Sequence, residues 1–201
     1  MKITSSWLCR LWLFASIFLL CSFGNAHAFD GERKGFILGG GIGLGMTSFT
    51  QSLGDLGERI SRDRETKPSF VTDFKIGGGF SEQVLLYWTS RVSWFSLENI
   101  LADTVTIASG TAGVGVTYFP NPESNFYLLG GLGLATWGTP FESGTSPSIG
   151  LALLGGIGFE LSPHWTLDIT LSIGNSSDTV SGIELTNDVG ALLVTFNGIA
   201  F

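Results

Sequence analysis

Cysteine and histidine are almost missing from this sequence. Cys9, Cys21 and one of the two histidines, His27, all lie within the first 28 residues. The remaining chain therefore offers no disulfide and no thiolate site. Its one histidine, His164, has no second histidine or cysteine with which to form a zinc site. A lone histidine in a tight turn also disfavours a Ser-His-Asp triad.

Charge is scarce as well, since charged residues make up 13% of the chain, where about 25% is typical of a soluble domain. After residue 28 no apolar run is long enough to form a membrane-spanning helix. An apolar chain without such helices can still satisfy its backbone in lipid by closing a β-barrel.

The first 28 residues have the three parts of a secretory signal. Two basic residues, Lys2 and Arg10, precede the apolar run "LWLFASIFLLCSF". Ala26-His27-Ala28 follows the run and matches a cleavage site. We therefore expect residues 1–28 to be removed and residues 29–201 to form the mature domain. That domain carries eight basic and 17 acidic residues, a net charge of −9, which argues against binding nucleic acid.

Residues 165–174 read "WTLDITLSIG", in which every second residue is apolar. This period of two predicts a strand with one apolar and one polar face. Seven other stretches alternate in a similar way, so the sequence predicts eight strands. The predicted segments are 35–49, 69–80, 83–95, 103–119, 126–137, 148–161, 165–174 and 188–201.

The composition of the two faces indicates which one meets water. The apolar faces carry large residues without interruption, whereas the opposite faces carry mainly glycine and alanine with a few charges. Small residues suit the crowded interior of a narrow barrel, and a continuous apolar surface suits lipid. We therefore predict an all-β fold, a closed eight-stranded antiparallel transmembrane β-barrel in which Asp168 points into the lumen.

The predicted connections alternate in length, with short turns at 81–83, 120–125 and 162–164. The connections 51–68, 138–148 and 175–187 are long, and 97–102 is of medium length. Outer-membrane barrels have short periplasmic turns and longer extracellular loops. Aromatic residues near the strand ends predict two interfacial girdles: a periplasmic one of Phe36, Phe80, Tyr118, Phe126, Phe159, Trp165 and Phe201, and an outer one of Phe49, Phe70, Trp94, Trp137 and Phe141.

Two stretches, "VGVTYFPNPESNFYLLGGLGLATW" and "GLALLGGIGFELSPHWTLDITLSIG", resemble hairpins of small outer-membrane barrels of the OmpA, OmpW and opacity-protein type. The terminal Phe201 resembles the C-terminal assembly signal of that family, which implies recognition by the barrel-insertion machinery. Thr195 and Asn197 share the parity of Phe201 where that signal is usually apolar, so the register of the last strand stays open. The resemblance implies an architecture and a bacterial outer-membrane location, but no activity.

Five charges fall within predicted strands, and their pairing inside the lumen would avoid the cost of facing lipid. This predicted lumen charge network comprises Asp73, Lys75, Arg91, Glu160 and Asp168. If residues 81–83 form a three-residue loop, Phe80 pairs with Val84. Counting back along both strands then places Lys75 opposite Thr89 and Asp73 opposite Arg91.

The remaining motifs do not support an enzyme. The run "GGGIGLG" lacks both the G-x-G-x-x-G spacing and the Lys-Ser/Thr of a phosphate loop. We therefore predict no catalytic residues, no cofactor and no metal.

Three functions remain open: a structural or adhesion-like surface barrel, a narrow passage for small apolar solutes, and, least favoured, a lipid-modifying enzyme. We expect a monomer whose partners are outer-membrane lipids, lipopolysaccharide and the insertion machinery.

Overall fold

The computed structural model describes residues 33–55, 58–61, 63–98, 104–143, 145–180 and 183–200. The predicted signal at 1–28 and the predicted assembly residue Phe201 lie outside these ranges. Within the described residues, nine strands form one sheet. They are β1 (Gly35–Asp55), β2 (Glu58–Ser61), β3 (Glu65–Gly79), β4 (Val84–Glu98), β5 (Thr104–Tyr118), β6 (Phe126–Gly138), β7 (Ser148–Ser162), β8 (Trp165–Val180) and β9 (Ile183–Ala200).

Eight of these strands close into an antiparallel barrel. Each strand from β3 to β8 pairs with the next one in sequence, and β1 pairs with β3. The barrel closes where β9 pairs with β1, from Leu38↔Ala200 to Gly54↔Glu184. The short β2 pairs only with the end of β1, so it lengthens one hairpin and does not enter the barrel wall. The predicted eight-stranded barrel is thus confirmed.

The apolar side chains of the barrel strands point outwards, as the alternation predicts. On β8, Leu167, Ile169, Leu171 and Ile173 are exposed, whereas Asp168 between them is completely buried. Comparable exposed residues on the other seven barrel strands form a continuous apolar belt. A closed barrel with such a belt is a transmembrane barrel, because water would penalise that surface and lipid would not.

The two ends of the barrel differ. At what we call the turn end, the connections are residues 80–83, 119–125 and 163–164, and β1 begins and β9 ends there. At the opposite end, called the hairpin end, several strands continue beyond the apolar belt. None of the described residues forms a helix that could cross a membrane.

Two predicted loops are in fact largely strand. Most of 175–187 belongs to a hairpin in which β8 continues to Val180 and β9 begins at Ile183. Within 51–68, β1 continues to Asp55, β2 follows, and β3 begins at Glu65. Polar composition suggested loops here. However, a strand that extends beyond the lipid no longer needs apolar residues on its outward face, so it loses its apolar alternation while keeping its backbone pairing.

Candidate functional site: a charge cluster inside the barrel

Four of the five predicted lumen charges meet near the middle of the barrel. Asp73 and Lys75 lie two positions apart on β3, so their side chains share the inner face. Arg91 lies opposite Asp73 on the neighbouring β4, and Lys75 lies opposite Thr89, as the predicted hairpin register requires. Asp168 reaches the same group from β8. All four side chains are buried.

Asp168 receives the most donors in this charge cluster. Its Oδ2 lies 2.7 Å from Lys75 Nζ and 3.1 Å from Arg91 Nη2. The Tyr127 hydroxyl, from β6, donates to its Oδ1. A buried carboxylate is costly unless its lone pairs are satisfied, and these three donors satisfy it from three other strands. Asp168 therefore ties together β3, β4, β6 and β8.

Asp73 completes the cluster from the other side. Arg91 Nη2 donates to Asp73 Oδ2, Lys75 Nζ lies 3.4 Å from the same oxygen, and Thr89 Oγ1 donates to Oδ1 across 3.4 Å. Arg91 Nη1 also donates to Thr170 Oγ1 on β8. Two cations thus face two carboxylates, so the cluster carries no net formal charge. These ion pairs connect β3, β4 and β8 across the lumen.

Glu160 does not join this cluster, so the predicted five-member network needs correction. Its carboxylate binds Arg33, a residue just before β1 that sequence reasoning did not single out. Arg33 also donates to the carbonyl oxygens of Pro122, at 2.6 Å, and Ser124, at 3.1 Å. Its guanidinium lies 3.7 Å from the centre of the Phe119 ring. Glu160 lies at the end of β7, so its partner comes from the turn end and not from mid-barrel.

Apolar layers lie on both sides of the charge cluster. At the turn end, buried side chains from several strands pack together and fill the lumen: Ile37, Leu85, Tyr87, Phe119, Tyr127, Leu129, Leu154 and Ile199. Towards the hairpin end lies a second layer of Phe49, Phe95, Ile107 and Trp137, with ring centroids 5.0 to 5.6 Å apart. We call these the turn-end layer and the aromatic layer.

The aromatic layer corrects the predicted outer girdle. Phe49 and Trp137 are buried inside the barrel and do not face lipid. Both have odd numbers on strands whose outward residues have even numbers, so strict alternation places them inside. Phe70 and Phe141 are exposed, and the Trp94 ring lies 6.4 Å from that of Phe141. At the turn end, the six described members of the predicted girdle are exposed.

The space left inside the lumen is small. Two small cavities remain among the described residues. The volume that the centre of a water molecule can occupy is about 20 Å³ in a cavity on the hairpin side of the charge cluster and about 10 Å³ in one within the turn-end layer. About one water molecule needs 10–15 Å³ by this measure. The described part of the barrel is therefore filled by side chains, as expected for eight strands.

The other motifs of the sequence have structural explanations. The run "GGGIGLG" lies within β1, where Gly41 and Gly43 face the backbone of β9 closely enough that any Cβ would clash. His164 lies in the β7–β8 turn, with Nδ1 3.0 Å from the Ile199 carbonyl oxygen. Thr195 and Asn197 point into the lumen, which answers the register question for the described part of β9.

Tyr127, Thr170 and Arg33 are the contributors that sequence reasoning missed. Tyr127 has odd parity on β6, so alternation alone could have placed it inside. Thr170 shares the inner face of β8 with Asp168 and could have been found in the same way. No comparable signal marks Arg33, because it precedes the first strand.

No family model and no curated protein matches the chain. Several solved outer-membrane proteins do. Ail, the attachment invasion locus protein of Yersinia pestis, is 15% identical over 81% of this chain and 99% of its own, with a TM-score of 0.41. OprG from Pseudomonas aeruginosa is 13% identical over 84% of this chain and 98% of its own, with a TM-score of 0.47. Neisserial surface protein A is 14% identical over 78% of this chain and 96% of its own, with a TM-score of 0.42. These similarities are weak, so the assignment of the fold rests on the strand pairing described above.

Proposed function

We propose that this protein is a non-enzymatic barrel of the bacterial outer membrane with a structural or surface-interaction role. The observation that carries the proposal is the charge cluster enclosed between the turn-end layer and the aromatic layer. A lumen filled in this way holds the wall together but provides no wide path across it.

The orientation follows from the lengths of the connections. Outer-membrane barrels keep short turns in the periplasm and longer connections outside, so the hairpin end is the surface-exposed one. There β8 and β9 carry paired polar residues beyond the belt, and residues 139–147 connect β6 to β7. These segments are the part of the molecule available to a partner outside the cell. Lipids and lipopolysaccharide surround the belt, and the barrel acts as a monomer.

Ion conductance tests the closed lumen. Purified barrel in planar bilayers is expected to give no steady conductance, and liposomes containing it are expected to swell no faster than empty ones. Asp73→Ala combined with Arg91→Ala provides the comparison, because it removes part of the charge cluster. Steady single-channel currents from the unmodified protein, or faster swelling with small solutes, would favour the passage hypothesis.

Surface display is tested separately with an epitope tag in intact cells. A tag inserted after Glu142, in the β6–β7 connection, is expected to be stained by antibody without permeabilisation. A tag inserted after Asn121, in the β5–β6 turn, is the matched control and is expected to stain only after permeabilisation. The reverse pattern would overturn the proposed orientation. An unchanged lipid A mass spectrum on expression is the result expected for a non-enzyme.

A further inference from the structure

The cavity between the charge cluster and the aromatic layer has a partly polar lining, and we call it the polar cavity. Arg91 forms part of one side, and inward-facing hydroxyl residues of three strands line it as well: Ser93, Ser109, Thr111, Ser172 and Ser176. Small residues, including Ala135 and Ala152, leave room beside them. With about 20 Å³ for water centres, the cavity can hold one or two water molecules and nothing much larger.

Two buried donors face this cavity without a protein partner. Arg91 Nε and Ser176 Oγ have no hydrogen-bond partner among the described residues, and both side chains are only 3% exposed. An unsatisfied buried donor costs about 1–3 kcal/mol, and more when it is charged.

The cavity within the turn-end layer provides a contrast inside the same barrel. Its lining is mainly apolar, with Ile37, Leu85, Phe119 and Ile199. Its polar groups already have protein partners: Lys75 binds Asp168, Tyr87 bonds to Thr117, and Tyr127 donates to Asp168. Its space of about 10 Å³ is also marginal for one water molecule.

We propose that the polar cavity is a water-binding site in which ordered water accepts a hydrogen bond from Arg91 Nε and exchanges one with Ser176 Oγ. The charge cluster is then hydrated from its hairpin side alone, while the turn-end layer stays dry. Ser176 lies opposite Asn187, which accepts a hydrogen bond from Gln51 at 3.0 Å. These polar side chains link the cavity to the hairpin end. The inference does not depend on the proposed function.

The test is an NMR experiment on the barrel reconstituted in lipid nanodiscs. It measures magnetisation transfer from water to isotope-labelled methyl groups and arginine side chains. Water cross-peaks are expected at Arg91 Nε–H and at the methyl groups of Ala135, Ala152 and Ala191, which all line the polar cavity. The matched control is the set of Ile37, Leu85 and Ile199 methyl groups, which line the other cavity and are equally buried. These are expected to show no water cross-peaks.

A cavity-filling variant adds a second test. Ala135→Val places two further methyl groups in the polar cavity, so the cross-peaks at Ala152 and Ala191 are expected to be lost. The unmodified protein gives a decisive result even if this variant does not fold. Absence of water cross-peaks at Arg91 and the three alanines would show a dry cavity. Equal cross-peaks at Ile37, Leu85 and Ile199 would show a lumen hydrated on both sides, and either result overturns the proposal.

Discussion

At the scale of single residues, the charge cluster couples Asp73 to Arg91 directly. Removing one partner of a buried ion pair costs about 3–5 kcal/mol, because the other charge is left without compensation. We expect Asp73→Ala and Arg91→Ala each to lower the free energy of unfolding, and the double variant to lose less than their sum. Denaturant titration of the reconstituted barrel measures all three values.

Asp168 limits the size of that coupling, because Arg91 retains this second carboxylate when Asp73 is removed. A matched control is Glu142→Ala, an exposed carboxylate in the β6–β7 connection, for which no measurable loss is expected. Strictly additive losses for Asp73→Ala and Arg91→Ala would show that the two side chains act independently and would contradict the pairing.

Glycine at position 158 leaves room for an aromatic ring. Tyr127 lies opposite Gly158, and a Cβ added there would lie 2.1 Å from the ring carbon Cζ. Gly158→Ala is therefore expected to displace Tyr127, weaken its bond to Asp168 and lower the free energy of unfolding by about 1–3 kcal/mol.

The control lies on the same strand. Gly155 faces outwards, and an added Cβ would meet no atom within 4 Å. Gly155→Ala is expected to be neutral or to stabilise by up to about 1 kcal/mol, because alanine loses less backbone entropy than glycine in a strand. Equal losses for both variants would indicate that the ring contact at Gly158 has no special role.

The inward position of individual residues was predictable wherever alternation was unbroken. Asp73, Lys75, Arg91 and Asp168 were placed correctly because their strands keep the alternation. Lys75 and Asp168 have apolar neighbours on both sides in sequence, and Asp73 and Arg91 have one each, Phe74 and Val92. Phe49 and Trp137 were misplaced because their aromatic character was given more weight than their parity. The pairing of Glu160 with Arg33 could not be predicted, since it depends on how the chain enters β1.

At the scale of strands, the β8–β9 hairpin extends beyond the membrane while keeping its register. Asp178 pairs with Leu185, Thr179 with Glu184, and Val180 with Ile183. Deleting residues 178–180 and 183–185 together removes three complete pairs and leaves all lower pairs in place. We expect the shortened protein to form the barrel with an unchanged difference in gel mobility between boiled and unboiled samples.

Deleting residues 178–180 alone is the matched control for that experiment. It shifts β8 against β9 by an odd number of residues, which would exchange lumen-facing and lipid-facing side chains unless the extra residues bulge out. This variant is expected to fold less well. Failure of the symmetric deletion with success of the asymmetric one would show that the outer pairs determine the register.

Strand ends were the least predictable feature at this scale. Within the membrane, lipid on one side and a packed lumen on the other impose alternation on the sequence. Beyond the belt the outward face of β8 no longer meets lipid and carries polar residues, as its inner face does, so "NSSDTV" has no apolar alternation although its backbone is paired. Backbone pairing does not depend on residue type, so the sequence could not show where the hairpin ends.

At the scale of the whole molecule, closure leaves no edge strand in the membrane. The continuous β1–β9 pairing satisfies the backbone groups that a flat sheet would expose to lipid. We expect the mature protein to require detergent or lipid for solubility, and unboiled samples to migrate differently from boiled ones on a denaturing gel. A purified protein that remains soluble and monomeric without detergent would contradict a transmembrane barrel.

Phe201 at the C-terminus is expected to affect assembly of the barrel but not the stability of the folded protein. The pairing of β9 with β1 already reaches Ala200, so the described barrel is closed without Phe201. If Phe201 serves as the assembly signal that its resemblance to outer-membrane barrels implies, its deletion is expected to reduce the yield of folded barrel in the membrane. Export is expected to continue, measured as mature protein in the periplasm. The fraction that does fold is expected to unfold at an unchanged denaturant midpoint, because deletion leaves the charge cluster and the closing pairs intact.

Phe201→Tyr, which keeps a terminal aromatic ring, provides the matched control and is expected to assemble normally. A normal yield after deletion would show that assembly does not depend on Phe201, whereas a normal yield combined with a lowered midpoint would assign the residue to packing.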